Sequence, residues 1–269
     1  MIRNVLTIAG SDPSGGAGIQ ADLKAFAANG VYGMAAITAL TAQNTQGVRG
    51  VELVAPTFVQ AQIDAVFADV RVDAVKIGMI ATAEIALAVA KALSDHQQIP
   101  IVLDPVMVAK GGAPLLQDDA MEALRTALVP LATVLTPNLP EAARLLQQPE
   151  AENRDAMATH ARALADLGPQ AALVKGGHLA GDESPDVLWD GSALHWIEGM
   201  RTDTKNTHGT GCTLSSSIAA QLAQGLTPRA AVAKAKRYVS GAIAASDQQT
   251  VGHGHGPVHH FYDLWKDKT

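Results

Sequence analysis

Gly209-Thr-Gly-Cys212 opens a helical pattern that continues through Leu214, Ile218 and Leu222. Small residues at a helix start leave backbone N–H groups uncovered, and the helix dipole adds about half a positive charge there. An anionic phosphate, or the charge that develops while one is transferred, is stabilised at such a place. The plainer reading is a flexible glycine turn with Thr210 as the helix cap. Cys212 falls in the first turn, where helix amides lower a thiol pKa, although an inert buried cysteine is the commoner case.

Other residues could work beside this loop. Gly10-Ser-Asp-Pro-Ser-Gly-Gly-Ala-Gly18 lacks the Lys-Ser/Thr that a Walker loop needs. Gly16-Ala-Gly18-Ile-Gln-Ala21 meets the loose dinucleotide pattern, but the loop is long and Leu40, not an acid, stands about 20 residues on. The dinucleotide reading is therefore rejected. Asn138-Leu-Pro-Glu141 is first a helix start, with Asn138 capping and Glu141 at the third helical position. A carboxylate at a strand end near phosphates can also hold Mg²⁺ through water, and Asp104, before Pro105, is a further candidate. Lys175 ends an apolar run just before Gly176-Gly177 and either snorkels or meets an anion. Gln43 carries a donor and an acceptor on one amide, enough to pair with an aminopyrimidine edge. Taken alone, it reads as a loop residue satisfying backbone groups. His253, His255, His259 and His260 carry ligand chemistry, but the interrupting glycines favour a structured tail over a metal site.

The elements that must position these residues follow from patterning. Short apolar runs at 5–9, 34–40, 74–77, 101–103, 133–135 and 171–174 predict strands. Amphipathic stretches at 18–28, 56–70, 82–94, 117–128 and 154–167 predict helices between them. Strands without polar alternation, separated by helices, indicate a parallel sheet covered on both faces. Residues 187–190 and 193–197 flank Gly191-Ser192 and predict an edge hairpin, and closing helices are expected at 211–224 and 228–246. The unusual residues cluster after the strands, at 10–18, 78–79, 104–112, 136–141 and 176–178. Ligands of open α/β sheets bind at that edge. No repeat or linker interrupts residues 1–269, which read as one domain.

Composition narrows the function. The 269 residues are 48% hydrophobic and 17% charged, which excludes a disordered chain. A formal charge of −6 with 4% aromatics argues against a nucleic-acid binder. A lone cysteine excludes a disulfide framework and a cysteine-based zinc site. No apolar run approaches the ~20 residues of a membrane span, and the opening apolar stretch is too short for a signal peptide. A cytoplasmic enzyme is the expectation.

The chain closely resembles the bacterial hydroxymethylpyrimidine/phosphomethylpyrimidine kinases of thiamine biosynthesis, within the ribokinase-like superfamily. The resemblance runs nearly end to end, through LTIAGSDPSGGAGIQADLKAF, ITALTAQNTQGV, VKIGMI, VLDPVMVAKGG, LTPNLPEA, LVKGGH, NTHGTGCTLSSSIAA and VGHGHGPVHHF. Generic sugar kinases of that superfamily usually carry Asp where this chain has Cys212. The resemblance implies a three-layer α/β/α fold with a mostly parallel sheet and a small β extension. It implies ATP-dependent phosphorylation of 4-amino-5-hydroxymethyl-2-methylpyrimidine and then of its monophosphate, with pyridoxal kinase or a non-catalytic pyrimidine-binding protein as rivals. Gln43 would pair with the pyrimidine ring, Asp22 would lie near the hydroxymethyl end, and Gly10, Met79 and Val106 would line the pocket. Asp104, Asn138, Glu141 and Lys175 fall on positions near MgATP, and Thr207 and Lys236 lie beside the nucleotide. Cys212 matches the proposed base, with Gly209, Thr210 and Gly211 as the anion hole. The resemblance also implies a homodimer.

Overall fold

The computed structural model of the chain describes residues 1–96, 98–108, 112, 115–117 and 119–265. Part of the expected 104–112 loop and of the VLDPVMVAKGG motif, residues 109–111, lies outside the described residues.

Alternate residues of a strand face opposite sides of its sheet. In β1 (Asn4–Ala9) both sets are apolar: Val5 packs into one hydrophobic cluster, Leu6 and Ile8 into another. β5 (Ala74–Ile77), β6 (Ile101–Leu103), β7 (Val134–Leu135) and β8 (Ala171–Lys175) divide in the same way. Both faces must therefore be covered. α1 (Gly18–Ala28), α7 (Thr210–Ala223) and α8 (Pro228–Ala244) share the cluster around Val5, Phe26 and Ile218. Opposite them lie α2 (Pro56–Asp69), α3 (Ala83–Leu93), α4 (Ala120–Ala123), α5 (Leu139–Leu146) and α6 (Arg154–Ala165). The result is three α/β/α layers.

With β2 (Tyr32–Ile37), β9 (Asp186–Trp189) and β10 (Leu194–Ile197), the main sheet has eight strands in the order β10-β9-β8-β7-β6-β5-β1-β2. Pairings from β2 to β8 are parallel, while β8–β9 and β9–β10 are antiparallel, which is the expected edge hairpin. β2 and β5 flank β1, so the chain reverses direction across the sheet there. A crevice opens at such a switch point.

Two expectations are corrected. The run 34–40 is not one strand, because the chain leaves the sheet at Thr38, whose N–H donates to Ala9 O and whose hydroxyl donates to Met79 O (2.7 Å). Beyond it, β3 (Ala39–Asn44) and β4 (Gly47–Leu53) form a separate antiparallel flap. β4 is mostly exposed and so has no buried face to give its sequence an alternating pattern. The predicted helix 117–128 is α4 followed by a π-helical stretch, Leu124–Leu128.

Charges buried between the layers join several elements. Lys76 of β5 and Asp22 of α1 are both fully buried, with Nζ 2.9 Å from Oδ2. Asp22 also accepts from Thr7 of β1 (2.7 Å) and Ser216 of α7 (2.7 Å). Breaking a buried pair from one side is expected to cost about 3–5 kcal/mol. Asp22→Asn should show that loss in urea unfolding, and adding Lys76→Met should recover most of it. An Asp22→Asn protein of unchanged stability would show that the pair does not hold the layers together.

Candidate active site

A cavity of about 610 Å³ lies outside the carboxyl ends of the parallel strands. Gly10 follows β1, Met79 follows β5, Asp104 and Val106 follow β6, Asn138 and Glu141 follow β7, and Lys175 ends β8; all line it. Gln43 enters from the flap, and Thr207 and Gly209 to Cys212 from the start of α7.

Four helices of the fold have their first N–H groups covered by side chains. Thr82, Asn153 and Thr227 cap α3, α6 and α8, and Asn138 and Glu141 form a complete capping box on α5. α1, α2, α4 and α7 have no side-chain cap, and of these the starts of α1 and α7, at Ala17 and Gly209, line the cavity. At α1 the Cys212 sulfur and Gly10 O (3.0 Å) take the Gly18 and Ile19 N–H groups, so the uncovered start is that of α7. The Thr210 cap of the plainer reading does not form, since the Thr210 hydroxyl donates to Thr207 O (2.7 Å). Gly209 has φ +77°, and a Cβ there would lie 1.7 Å from Gly16 O. Only glycine lets α7 begin this close to the β1–α1 loop. At Gly211 an added Cβ would sit 3.5 Å from Asp104 Oδ2 and 3.6 Å from Lys175 Nζ. The uncovered amides and the charged cluster therefore share one space.

That cluster is compact. Lys175 Nζ lies 2.8 Å from Asp104 Oδ1 and 3.9 Å from Glu141 Oε2. Burial disfavours the ammonium, but Asp104 and Glu141 outweigh it and hold Lys175 protonated above its ordinary range. Burial, opposed by Lys175 and reinforced by Asp104, pushes the Glu141 carboxyl up to about 7. Two hard carboxylates with a cation between them have the donor chemistry of a magnesium site whose remaining ligands are water and phosphate oxygens. Among the described residues no group of three or more His, Cys, Asp or Glu side chains is placed to hold a metal by itself. Of the terminal histidines, His259 and His260 are buried.

The thiol corrects a second expectation. Gly18 N–H donates to the Cys212 sulfur and Lys76 favours the thiolate, as a helix start would. Burial is the larger effect, and Asp22 and Asp104 add to it, so the thiol is pushed up to about 11.

Two residues implied by the resemblance lie outside the cavity. Asp22 is sealed beneath its floor by Thr7, Lys76 and Ser216. Lys236 is held away by Asp186 Oδ2 (2.8 Å) and Ser184 O (2.9 Å). Sequence reasoning missed several that line it, among them Asp12, His208 and Lys76. Buried Asp12 accepts from the Ser14, Gly16 and Ala17 amides and lies 2.9 Å from His208 Nε2, which is 3.3 Å from Gln43 Nε2. Burial opposes the charge of Asp12, but His208, Ser14 and Ala17 more than offset it and hold the carboxyl at about 2. Asp-Pro-Ser before glycines is a turn signal in which Asp accepts from backbone amides. A lone lysine inside an apolar strand was the signal for Lys76, because a buried ammonium needs a partner.

Cys212 is the chain's one cysteine, so its alkylation reads the site directly. With the thiol near 11, iodoacetamide labelling of the unliganded protein should quicken about tenfold per pH unit from 7 to 10. A rate flat above pH 7.5 would reveal a low-pKa thiolate instead.

Known proteins resemble this chain in sequence and fold. The phosphomethylpyrimidine kinase family model matches residues 12–259. The hydroxymethylpyrimidine/phosphomethylpyrimidine kinase of Salmonella typhimurium is 52% identical over 262 residues, covering 97% of this chain and 98% of that protein. An ADP complex of Bacillus subtilis pyridoxal kinase superposes with a TM-score of 0.89 at 39% identity, covering 97% of this chain and 98% of that one. The phosphomethylpyrimidine kinase of Clostridium difficile gives 0.79 at 44% identity, covering 88% and 98%. With its ribokinase-like fold and nearly full-length match, the chain belongs to the phosphomethylpyrimidine kinase family.

Proposed function

We propose that this protein is an ATP-dependent kinase that phosphorylates the hydroxymethyl group of 4-amino-5-hydroxymethyl-2-methylpyrimidine, and then the resulting monophosphate, in thiamine biosynthesis. The observation that carries the reading is the uncapped start of α7, facing Lys175 and Asp104 in the same cavity as Gln43. Phosphoryl transfer needs positioning and charge stabilisation more than covalent work by the protein. Gln43 orients the aminopyrimidine edge, with Gly10, Met79 and Val106 around the ring. Gly209, Thr210 and Gly211 present backbone N–H groups to the transferring phosphoryl oxygens. Lys175 and Asn138 lie beside the nucleotide phosphates and Thr207 beside the loop. Asp104 and Glu141 would hold Mg²⁺, partly through water, and the ion when bound neutralises charge developing on the phosphates. Cys212 is the proton acceptor of this reading: burial holds the unliganded thiol at about 11, Lys76 and the Gly18 amide work against that burial, and the thiolate is the form that accepts the hydroxyl proton. Asp22 acts from below by holding Lys76, and Lys236 by holding Asp186, whose Oδ1 accepts from Gly176 N–H (3.0 Å).

The reading includes a single domain acting in the cytoplasm on small molecules, not on nucleic acid or membrane. Among the described residues no helix is long and apolar enough to cross a membrane. Exposed Leu40, Val51 and Leu53 of the flap and Tyr32 of edge strand β2 support a homodimer, which sedimentation velocity checks.

Incubation with MgATP and the hydroxymethylpyrimidine should yield mono- and diphosphate by mass spectrometry. Gln43→Leu should raise KM for the pyrimidine about tenfold or more by leaving ring groups unpaired, with KM for ATP unchanged. The likeness to pyridoxal kinase makes pyridoxal the necessary second substrate. A higher kcat/KM for pyridoxal would overturn the pyrimidine assignment, and no turnover or ATP binding at all would leave a pyrimidine-binding protein.

Glu141 has two separable roles. Its carboxylate accepts from Asn138 N–H (2.8 Å) while Asn138 Oδ1 accepts from Glu141 N–H (2.9 Å). Glu141→Gln keeps the shape and a capping oxygen but removes the charge. Tm should stay near wild type while turnover falls at least about tenfold, partly restored by extra Mg²⁺. Unchanged turnover across a magnesium titration would confine Glu141 to capping.

A further inference from the structure

Residues 251–260, Val-Gly-His-Gly-His-Gly-Pro-Val-His-His, lie far along the chain from both glycine-rich loops and from the flap. The fold nevertheless ties them to the flap and to the loop that opens α7. At their C-terminal end Gly256 to His260 are buried. His259 N–H donates to Ala242 O (2.9 Å), and Tyr238 OH donates to His260 O (2.8 Å), which anchors the segment on α8. His260 Nε2 lies 3.0 Å from Thr213 Oγ1, and that hydroxyl donates to Gly209 O (2.8 Å) at the start of α7. In the middle, Gly256 O accepts from His208 N–H (2.9 Å) and Pro257 pairs with His208 as an isolated parallel bridge. At the other end His255 N–H donates to Thr45 O (2.9 Å) and Gly254 N–H to Thr45 Oγ1 (3.2 Å). Thr45 is in the turn between β3, which carries Gln43, and β4.

The glycines make these approaches possible. A Cβ at Gly254 would lie 2.0 Å from Thr45 O, and one at Gly256 would lie 2.2 Å from Asn206 Oδ1. The first neighbour is backbone and cannot rotate aside, so segment or flap turn would have to move.

We propose that residues 251–260 are a strap that sets the spacing between the Gln43 flap and the His208–Gly211 loop, with Gly254 and Gly256 as its positioning residues. The strap touches neither reacting group; it holds the ring-binding side and the phosphate side of one cavity in register from behind. The proposal deepens the pyrimidine-kinase reading and rests on it for its ligand, while the position of the flap can be measured without any ligand.

The test uses the full-length protein. In Gly254→Ala, amide hydrogen exchange should quicken across residues 39–53 and remain at wild-type levels in the main sheet. By calorimetry, Kd for the hydroxymethylpyrimidine should rise about tenfold, the effect of one displaced buried hydrogen bond, and Kd for ATP should stay within about twofold. Gly256→Ala should slow turnover, and Asn206→Gly in the same chain, which removes the colliding side chain, should recover most of the loss. Unchanged flap exchange in Gly254→Ala would overturn the proposal, as would equal weakening of both ligands with a lowered Tm, the mark of a merely structural tail. If the wild-type protein fails to bind the pyrimidine, the functional reading falls, and the exchange experiment still decides the strap.

Discussion

The buried pair of Lys76 and Asp22 is the constraint on which the rest of this structure depends. An ammonium in the middle of a four-residue buried strand is tolerable only with a carboxylate beside it. Asp22 supplies it from α1 and is itself satisfied by Thr7 and Ser216, so β1, β5, α1 and α7 meet at one polar point. Gly78 keeps that point open, because a Cβ there would lie 2.6 Å from Lys76 Nζ. The consequence reaches the cavity floor. Lys76 is the positive charge that works against burial at the Cys212 thiol.

Above this point the cavity is built from what is left unsatisfied. Helices α3, α5, α6 and α8 are closed by Thr or Asn side chains, whereas α7 starts bare and meets the β1–α1 loop in a backbone contact between Gly16 and Gly209. An uncapped helix start in a partly enclosed space favours an anion. Lys175 adds charge of the same sign, paired in the unliganded protein with Asp104 and Glu141. The flap side of the cavity uses different physics: one amide, apolar Met79 and Val106, and a flap whose Gln43, beside its turn, meets His208 and through it Asp12.

Much of this was legible in the residues. Helix α1 begins and ends where its amphipathic pattern does, β5 and β6 match their apolar runs, and the capping box at Asn138 and Glu141 forms as its spacing requires. Local spacing determines these features, because periodicity and capping act over a few residues. The glycine-rich loops, the charged strand ends and the family motifs likewise placed one site at the carboxyl edge of a parallel sheet. What only the tertiary structure decided were quantities set by residues distant in sequence. Whether Cys212 is acidic depends on burial and on Lys76, Asp22 and Asp104, which outweigh the local helix amides. Whether Asp22 and Lys236 reach the cavity depends on partners 54 and 50 residues away that hold them elsewhere. The flap strand β4 and the pairing of Thr45 with Gly254, 209 residues apart, leave no periodic trace, since an exposed strand and a glycine contact bury no apolar face for the sequence to record.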